Sequence, residues 1–487
     1  MNAYSRNMAI GLGTIFVLGV PVFQKVWANQ IWLTLRAWPM LTLFIVIGLA
    51  IAGTAVLENT RSGELPKIAM VVVGLIAVFA VGILVFTPYF SLRSVDTSNT
   101  TLAPKAETAQ MAEYKVRPPF VVGSAQVSDN VSINGDPQNT KYIPDSDRFG
   151  NLIVKAGVLK GYGEIVWARI NESGQATTDS CRFSKDAERR LGGRFSHSLE
   201  RAILNKDFGV MIDPADSYGY CDDKGTPWVV VPLKKYKGFL APHRVPAGVA
   251  VYNGKTGELS LKKDVATGEI PGPVYPTSLS AYARKATRTA DGFWSWITKA
   301  AGYAAYSSTK NSSELILQRA DDSQTDYVTP LRLIGRGGGI VAVSETSASA
   351  VKAGQLNPTQ IATLPKYRQG DAAVSDRIRT DYASLEWASG ISVFEITPVD
   401  AKTWVATLGL RKSIKYRIHI KDDSSSCLYS VSNKLIRCTG DEESPNTEQP
   451  PAANPTSDLN TISDAELVEL QEQVQREIRK RFLAKNK

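Results

Sequence analysis

Three apolar runs without charged residues open the chain: Met8–Phe23, Leu41–Leu57 and Ile68–Phe90. Ile68–Phe90 has 23 residues, which is long enough to cross the hydrocarbon core of a bilayer as a helix. Met8–Phe23 is marginal because it has 16 residues and contains Pro21. The pattern predicts a membrane region over residues 1–90, with helices at about 8–26, 38–57 and 68–90.

The segment between the first two runs is amphipathic. Gln24–Met40 carries the indole and basic side chains that an interfacial belt uses, namely Trp27, Trp32, Trp38, Lys25 and Arg36. It is also consistent with a simple connecting amphipathic helix. Both interpretations place this segment at a membrane surface or beside one.

Beyond residue 90 the apolar stretches are shorter, and they predict single strands and short helices. Ser91–Pro119 is rich in Thr, Ser and Ala, and it predicts an extended spacer. Residues 120–276 predict an α+β domain, with paired strands in Asn151–Ile170 and a helix in two pieces over Ser184–Leu204. The apolar face of that helix would hold Phe195, Leu199 and Ile203.

Two further strands close this domain. They are Trp228–Leu233 and Gly248–Tyr252, and the second ends in the turn signal Asn253-Gly254. The sequence around them, Gly225-Thr-Pro-Trp-Val-Val-Val and then Gly-Val-Ala-Val-Tyr-Asn-Gly-Lys-Thr-Gly-Glu, resembles the last two strands of PepSY-type domains. Those are small extracytoplasmic modules with a cystatin-like arrangement, so the resemblance implies protein binding, inhibition or regulation.

The resemblance covers about forty residues and has two departures. Asn253 stands where an acidic residue is usual, and Lys234–Ala247 is a long insertion between the strands. A second phrase, Pro271-Gly-Pro-Val-Tyr-Pro276, resembles one in uncharacterised actinobacterial membrane proteins.

Residues 277–310 predict a connecting helix, most clearly over Thr277–Tyr306. Its apolar stripe includes Leu279, Tyr282, Ala286, Ala290, Phe293 and Ile297. Trp294 and Trp296 are candidates for a membrane-facing or partner-binding site, and the alternative is that these aromatic residues pack in a core between domains.

A second α+β domain is predicted over residues 311–440, with strands at Tyr327–Ile334 and Thr403–Leu410 among others. Residues 441–462 are acidic and rich in Pro and Asn, which predicts a disordered linker. Residues 463–487 predict an amphipathic helix that opens with a capping box. One face of it offers candidate partner-binding residues, namely Leu467, Leu470, Val474, Ile478 and Phe482.

The number of spans decides on which side of the membrane the large domain lies. Three spans with the N-terminus inside would place it outside, and two spans would place it in the cytoplasm. The positive-inside rule does not distinguish between the two arrangements, because three basic residues fall on each side of a three-span arrangement.

The cysteines favour the outside. If Ser432-Asn433 form a two-residue hairpin loop, Cys427 faces Cys438 within disulfide range. Cys181 and Cys221 would then close a loop across a predicted helix, although four unrelated buried thiols remain the alternative. Stable disulfides are rare in a reducing cytosol, so we expect a multi-pass cell-membrane protein with a cytoplasmic N-terminus and an extracytoplasmic body.

The composition and net charge indicate which classes of partner the chain could bind. The 487 residues are 43% hydrophobic and 21% charged, with a net charge of +9. The positive excess is spread thinly and forms no basic stripe with aromatics, so we expect no nucleic-acid partner. A mildly basic protein over anionic lipid or wall polymer is the better match.

The sequence contains few residues in the spacings that are typical of catalytic or metal-binding sites. The histidines, His197, His243 and His419, share no metal-ligand spacing. Gly335–Gly339 precedes a strand-like Ile-Val-Ala-Val, so it predicts a hairpin turn rather than a phosphate cradle. We expect no catalytic, cofactor-binding or metal-binding residues and no cofactor.

The expected fold class is α+β, with N-terminal transmembrane helices, two small sheet-plus-helix domains and a tethered C-terminal helix. The expected function is a non-enzymatic binding or scaffold protein of a bacterial envelope, secretion or conjugation assembly. Its expected partners are the lipid bilayer and other envelope proteins or copies of itself. The alternative is a cell-envelope hydrolase that acts on wall polymer or peptide through Asp and Glu, because such pairs leave no sequence signature.

Overall fold

The computed structural model describes residues 25–48, 67–102, 111–138, 140–157, 160–171, 174–306, 314–335, 338–421 and 425–439. The chain divides into two compact units, Met1–Gly440 and Asp441–Lys487. Most of the predicted first span lies outside the described residues, as do the predicted linker and the C-terminal helix. The candidate residues in that helix also lie outside them, namely Leu467, Leu470, Val474, Ile478 and Phe482.

Eight α-helices occur in the described part of the chain. They are α1 Lys25–Ala37, α2 Pro39–Gly48, α3 Lys67–Asn99, α4 Phe120–Asp129, α5 Leu199–Lys206, α6 Thr277–Ala286, α7 Phe293–Thr298 and α8 Asp371–Asp381. The strands of the first half are β1 Thr100–Leu102, β2 Gly135–Pro137, β3 Lys141–Ile143, β4 Arg148–Lys155, β5 Tyr162–Ile170, β6 Ala176–Arg182, β7 Met211–Ile212, β8 Tyr218–Cys221, β9 Pro227–Lys237, β10 His243–Asn253, β11 Leu259–Lys262 and β12 Asp264–Val265. The strands of the second half are β13 Tyr303–Ala305, β14 Leu315–Gln318, β15 Thr325–Leu333, β16 Ile340–Ser347, β17 Val351–Lys352, β18 Thr359–Arg368, β19 Ile391–Pro398, β20 Thr403–Leu410, β21 Ser413–Lys421, β22 Ser425–Ser430 and β23 Leu435–Thr439.

The strands form four larger sheets, numbered I to IV. Sheet I has the order β2-β4-β5-β6 with β3 on β4, and sheet II has the order β11-β10-β9-β7 with β8 on β9. Sheet III has the order β1-β18-β16-β15-β13 with β14 on β15, and sheet IV is the meander β19 to β23. Pairing is antiparallel except between β1 and β18, so the expected α+β class with several small antiparallel sheets is confirmed.

The predicted hairpins of the first half are present. β4 pairs with β5, and β9 pairs with β10, which turns at Asn253-Gly254 into β11. The predicted insertion Lys234–Ala247 is no separate loop. Most of it lengthens the β9–β10 hairpin, because Lys234 pairs with Pro246 and Lys237 with His243.

The membrane region is only partly as predicted. Within the described residues, Ala77–Asn99 of α3 is long and apolar enough to span a bilayer, with a mean hydropathy of 1.6. α1 and α2 would count as a second candidate only as a broken span, because they meet at a bend of 93°. The predicted span at about 68–90 lies within α3, and the predicted span at about 38–57 is described only as far as Gly48.

The extended spacer predicted for Ser91–Pro119 is wrong over its described parts. α3 continues without a break to Asn99, and its last two turns bury Leu92 and Val95 in the core. β1 then joins sheet III, and Tyr114 is buried farther along. Apolar contacts that are distant in sequence hold this Thr- and Ser-rich segment, and local composition does not reveal them.

The predicted helix Thr277–Tyr306 is interrupted. Gly292 has a φ of 91°, a conformation that favours glycine, and it separates α6 from α7. In the earlier two-part helix, Leu199 and Ile203 are buried in α5 as predicted. Phe195 precedes α5 in a 3-10 turn and is 71% exposed, so its place on that face is wrong.

The main hydrophobic cluster draws on both predicted domains. It contains Val95 of α3, Val230 of β9 and Leu279 of α6 together with Tyr327 of β15 and Phe394 of β19. A second cluster lies between sheets III and IV, and a third lies between sheets I and II. The main hydrophobic cluster therefore packs the C-terminal turns of α3 directly against strands of both predicted domains.

Both predicted disulfides form. Cys181 Sγ lies 2.03 Å from Cys221 Sγ and links β6 of sheet I to β8 of sheet II. Cys427 faces Cys438 across β22 and β23, and their Cα atoms are 4.0 Å apart.

The turn between β22 and β23 differs from the prediction. Asn433 has a φ of 63° as expected, but the Ser430 N–H donates to the Lys434 oxygen, which leaves a three-residue loop. A bulge at Ile436 then restores the register, so Leu428 faces Arg437 and the cysteines meet.

Candidate membrane-facing surface

α1 is an amphipathic helix with one face fixed to the folded body. The buried Asn29 side chain donates from Nδ2 to the Val210 oxygen and accepts at Oδ1 from the Gly209 N–H, each at 2.8 Å. Leu33 is buried on the same face, and Arg36 Nη2 donates to the Tyr236 oxygen at 3.4 Å. Residues 29, 33 and 36 share one side of a helix with 3.6 residues per turn.

The opposite face of α1 is apolar and open. Trp27 is 65% exposed, and Ile31 and Leu35 are also exposed. Residues four apart follow one another along a helix face, so these three side chains form a stripe directed away from Asn29 and Leu33. A solvent-facing stripe of this kind is typical of a helix that lies in a membrane interface.

The end of α3 supplies the second part of the surface. From Val78 to Phe90 most described side chains of this helix are exposed and apolar, whereas Ser91 and Leu92 are buried in the body. Arg93 Nη1 fixes the junction by donating to the Thr289 oxygen at 3.0 Å and to Asp96 at 3.2 Å. The change from exposed to buried side chains near Phe90 marks the boundary at which α3 enters the folded body.

α7 packs against this boundary with an aromatic cluster. Phe293 stacks on Phe86 with ring centroids 4.9 Å apart, and Trp296 lies 5.7 Å from the Tyr89 ring. Trp294 points outward and is 76% exposed. Of the two candidate tryptophans, Trp296 therefore packs within the cluster and Trp294 offers an open indole.

The tip of the β9–β10 hairpin is the fourth part. Phe239 is half exposed and Leu240 is 70% exposed. At the base of this tip, Tyr236 and Pro242 line the same cavity as Trp38 and Pro88 of the membrane region. The sequence reasoning missed this tip, although two adjacent apolar residues after Gly238 were a readable signal.

Four separate elements thus carry exposed apolar side chains: α1, α3, α7 and the tip of the β9–β10 hairpin. We call this set the membrane-facing surface, and it comprises Trp27, Ile31, Leu35, Phe90, Phe239, Leu240 and Trp294. Surface patches of this kind mark contacts with a partner or a membrane. The disulfides Cys181–Cys221 and Cys427–Cys438 lie elsewhere, in the sheets.

A polar cleft of about 580 Å³ lies away from this surface. It is lined by basic and acidic side chains, including Lys115, Arg117, Arg148, Arg169, Arg417, Asp145, Asp147 and Asp322. Burial raises the pKa of Asp145 against the opposing effect of a bond from the Gly272 N–H. Burial also raises the pKa of Asp147, which accepts from the Tyr142 hydroxyl at 2.7 Å.

Another carboxylate pair is enclosed in the core. Asp326 and Glu345 are both buried, and the Tyr114 hydroxyl contacts them at 3.0 and 2.7 Å. Arg319 Nε donates to Asp326 at 2.7 Å, which balances one of the two charges. The pair fixes Tyr114 in place and offers no open space to a substrate.

A serine and a lysine also meet near the membrane side. Lys234 Nζ lies 2.5 Å from Ser278 Oγ, and it also contacts Asp213 at 3.0 Å and Asp216 at 3.1 Å. Burial acts to raise the pKa of Asp213, but the Lys234 ammonium outweighs it, so that pKa lies below its usual value. Lys234 Nζ is thus held by two carboxylates and one hydroxyl.

The described residues contain no group of three or more His, Cys, Asp and Glu side chains that could hold a metal ion. The strands that resemble PepSY-type modules form the β9–β10 hairpin, and Pro271–Pro276 is part of the core, where Val274 and Tyr275 donate to the Ala348 oxygen. No protein-family model matches the chain, and no curated protein matches it.

Proposed function

We propose that this chain is a membrane-anchored scaffold or binding protein of a bacterial envelope, secretion or conjugation assembly, and that its folded body rests on the outer surface of the bilayer. In this arrangement α3 crosses the membrane and α1 lies in the interface. The sheets would then present their remaining surfaces to other envelope proteins or to further copies of the chain.

The two faces of α1 carry the proposal. One face is bonded to the body through Asn29 and packed through Leu33, and the other exposes Trp27, Ile31 and Leu35. Exposing three large apolar side chains to water opposes folding by about 1.5–3 kcal/mol each relative to burial. Contact with a bilayer removes that penalty, and indoles prefer the interface.

The two disulfides support an extracytoplasmic body and hence the multi-pass arrangement with a cytoplasmic N-terminus. Their formation requires an oxidising compartment. Thiol labelling of intact cells with a membrane-impermeant reagent tests this side directly. We expect labelling of all four cysteines from outside after reduction, and reaction only after lysis would refute the topology.

Membrane contact is tested with a photo-crosslinking amino acid in the purified full chain reconstituted in lipid nanodiscs. We place the probe at Trp27 and at Trp294, and we place the control probe at Ile436, which is about half exposed on the β22–β23 hairpin. Crosslinks to lipid at Trp27 and Trp294 with few at Ile436 are expected. Equal labelling at all three sites would refute a directed membrane-facing surface.

A second candidate function rests on the polar cleft. Asp145 and Asp147 line it, and the pKa of each is raised by burial, as a general acid requires. A cell-envelope hydrolase would cleave wall polymer or peptide there. Hydrolysis by the wild-type chain that Asp145→Asn or Asp147→Asn abolishes would establish it, and turnover that survives both variants would refute this site.

A further inference from the structure

A cavity of about 480 Å³ lies where the candidate span enters the body. Its walls come from the α1–α2 junction, from α3, from the base of the β9–β10 tip and from α6. Its lining includes Trp38, Thr87, Pro88, Tyr236, Arg244 and Lys285. Each wall also carries or adjoins part of the membrane-facing surface, so the cavity opens at the level of the lipid boundary.

The charged side chains that line this cavity are all basic. Arg244 and Lys285 line it, and none of its described lining residues is acidic. Neither cation forms an ion pair with another described residue. The Arg244 guanidinium instead lies over the Tyr282 ring, 6.0 Å from its centroid, which keeps it beside the cavity.

A neighbouring cavity provides a contrast. It has a volume of about 380 Å³ and shares Trp38, Tyr236 and Arg244 with the first. It also contains Asp213 and Lys234, whose charges compensate each other at 3.0 Å. Arg244 lines both cavities, but Lys285 lines only the first, so the first cavity has two cations without an acidic lining residue to compensate them and the second has one.

We propose that this cavity binds the phosphate of an anionic phospholipid head group between Arg244 and Lys285. Basic pockets next to membrane helices bind such head groups because a phosphate at the interface is attracted by nearby cations. The Thr87 and Ser91 hydroxyls line the same space and are able to donate to phosphate or glycerol oxygens. Trp38 and Pro88 would contact the apolar part of the lipid below the head group.

The inference rests on the proposed function, because the cavity reaches lipid only if the body lies on the bilayer. The two are tested separately. Lipid crosslinking at Trp27 without selective phosphatidylglycerol binding would overturn only the head-group site. Absence of crosslinking at Trp27 and Trp294 would overturn the docked arrangement itself.

The experiment titrates phosphatidylglycerol into the detergent-solubilised full chain and measures bound lipid by native mass spectrometry. The test variant is Arg244→Gln with Lys285→Gln. The matched control is Arg411→Gln with Lys415→Gln, which removes the same charge from exposed positions on sheet IV. An intact fold is verified for both from their thermal transitions and from the persistence of both disulfides.

A cation near a phosphate contributes about fivefold in affinity, so the test variant should bind phosphatidylglycerol about 30-fold more weakly. The control variant should bind like the wild type, and phosphatidylcholine should bind weakly to all three. Equal phosphatidylglycerol affinity in the test and control variants would overturn the proposal. Full competition by inorganic phosphate at the lipid concentration would also overturn it, because the site would then take free phosphate rather than a head group.

Discussion

The attachment of α1 to the body depends on one side chain, and its removal gives the sharpest test of the structure. Asn29 is 3% exposed and satisfies both the Gly209 N–H and the Val210 oxygen. Asn29→Leu keeps a side chain branched at Cγ and has a higher helix propensity, so α1 itself is not weakened. The substitution leaves one buried donor and one buried acceptor without a partner.

The expected magnitude follows from those two groups. A buried polar group left unsatisfied costs about 1–3 kcal/mol, and detachment of α1 lets water reach both groups. Two such groups give an expected loss of about 2–6 kcal/mol for the attached state. That loss shifts the equilibrium between attached and detached α1 by about 30-fold to 20,000-fold.

Hydrogen exchange of the full chain in lipid nanodiscs measures this shift. The Gly209 amide, bonded to Asn29 in the wild type, should exchange much faster in Asn29→Leu, and the peptide that covers residues 207–212 reports it. Gln30→Leu is the matched control, because Gln30 is exposed on the same helix. Its exchange should equal that of the wild type.

One result would refute the reasoning. If Asn29→Leu leaves exchange at residues 207–212 unchanged, the two bonds do not hold α1 in place. Faster exchange throughout the sheets in Asn29→Leu would likewise contradict a local attachment, because it would indicate global destabilisation.

Three further predictions concern the sheets. Replacing Cys181 and Cys221 together by Ser opens a link over 40 residues and should lower the free energy of unfolding by about 4 kcal/mol in urea titrations. Arg117→Ala leaves Glu395 buried without its cation, which lies 2.5 Å away, and should cost about 3–5 kcal/mol in the same assay. Burial raises the pKa of Glu345 above 4.5, so the folded state holds this proton more tightly than the unfolded state does. The free energy of unfolding therefore falls as the pH rises from 4.5 through the raised pKa. Glu345→Gln should flatten this pH dependence in thermal melts and stabilise the fold at pH 7.

The disulfide prediction and the Arg117 prediction each have an internal control. Opening Cys427–Cys438, a link over 11 residues, should cost about 3 kcal/mol, and a larger loss there than at the longer link would contradict the loop-entropy argument. Lys115→Ala breaks an exposed pair with Asp322 and should cost less than about 1 kcal/mol. An equal loss from Lys115→Ala and from the buried arginine variant would show that burial does not govern these pairs.

The sequence pattern correctly predicted those elements that are determined by residues close together in the chain. The predicted strands Trp228–Leu233 and Gly248–Tyr252 are short apolar runs, the second ends in Asn253-Gly254, and the structure pairs them as β9 and β10. The pairing of Cys427 with Cys438 was right although the predicted turn was wrong, because a longer loop and the bulge at Ile436 cancel in register. Two compensating irregularities of this kind cannot be read from alternation alone.

The errors have non-local causes. Ser91–Asn99 looked like a spacer because Thr and Ser dominate it, yet Leu92 and Val95 contact a core built from distant strands. The break at Gly292 was readable as a glycine, but the apolar stripe of residues 277–306 concealed it. Trp294 was identified as a candidate from its residue type, whereas its exposure and its position beside Phe293, which stacks on Phe86, required the fold.

If α3 spans the bilayer as proposed, its continuation into the core makes the folded body an extension of the anchor. Each residue of a helix adds about 100° of rotation and 1.5 Å of rise, so the number of residues before Ser91 sets the angular phase of the whole body about the helix axis. One inserted residue at that point would turn the body, with Trp27 and Leu240, by about 100° about the α3 axis and move it by about 1.5 Å along that axis. A partner in the membrane would therefore meet this body at one fixed azimuth, and a twist applied to α3 would be transmitted to the sheets as torque.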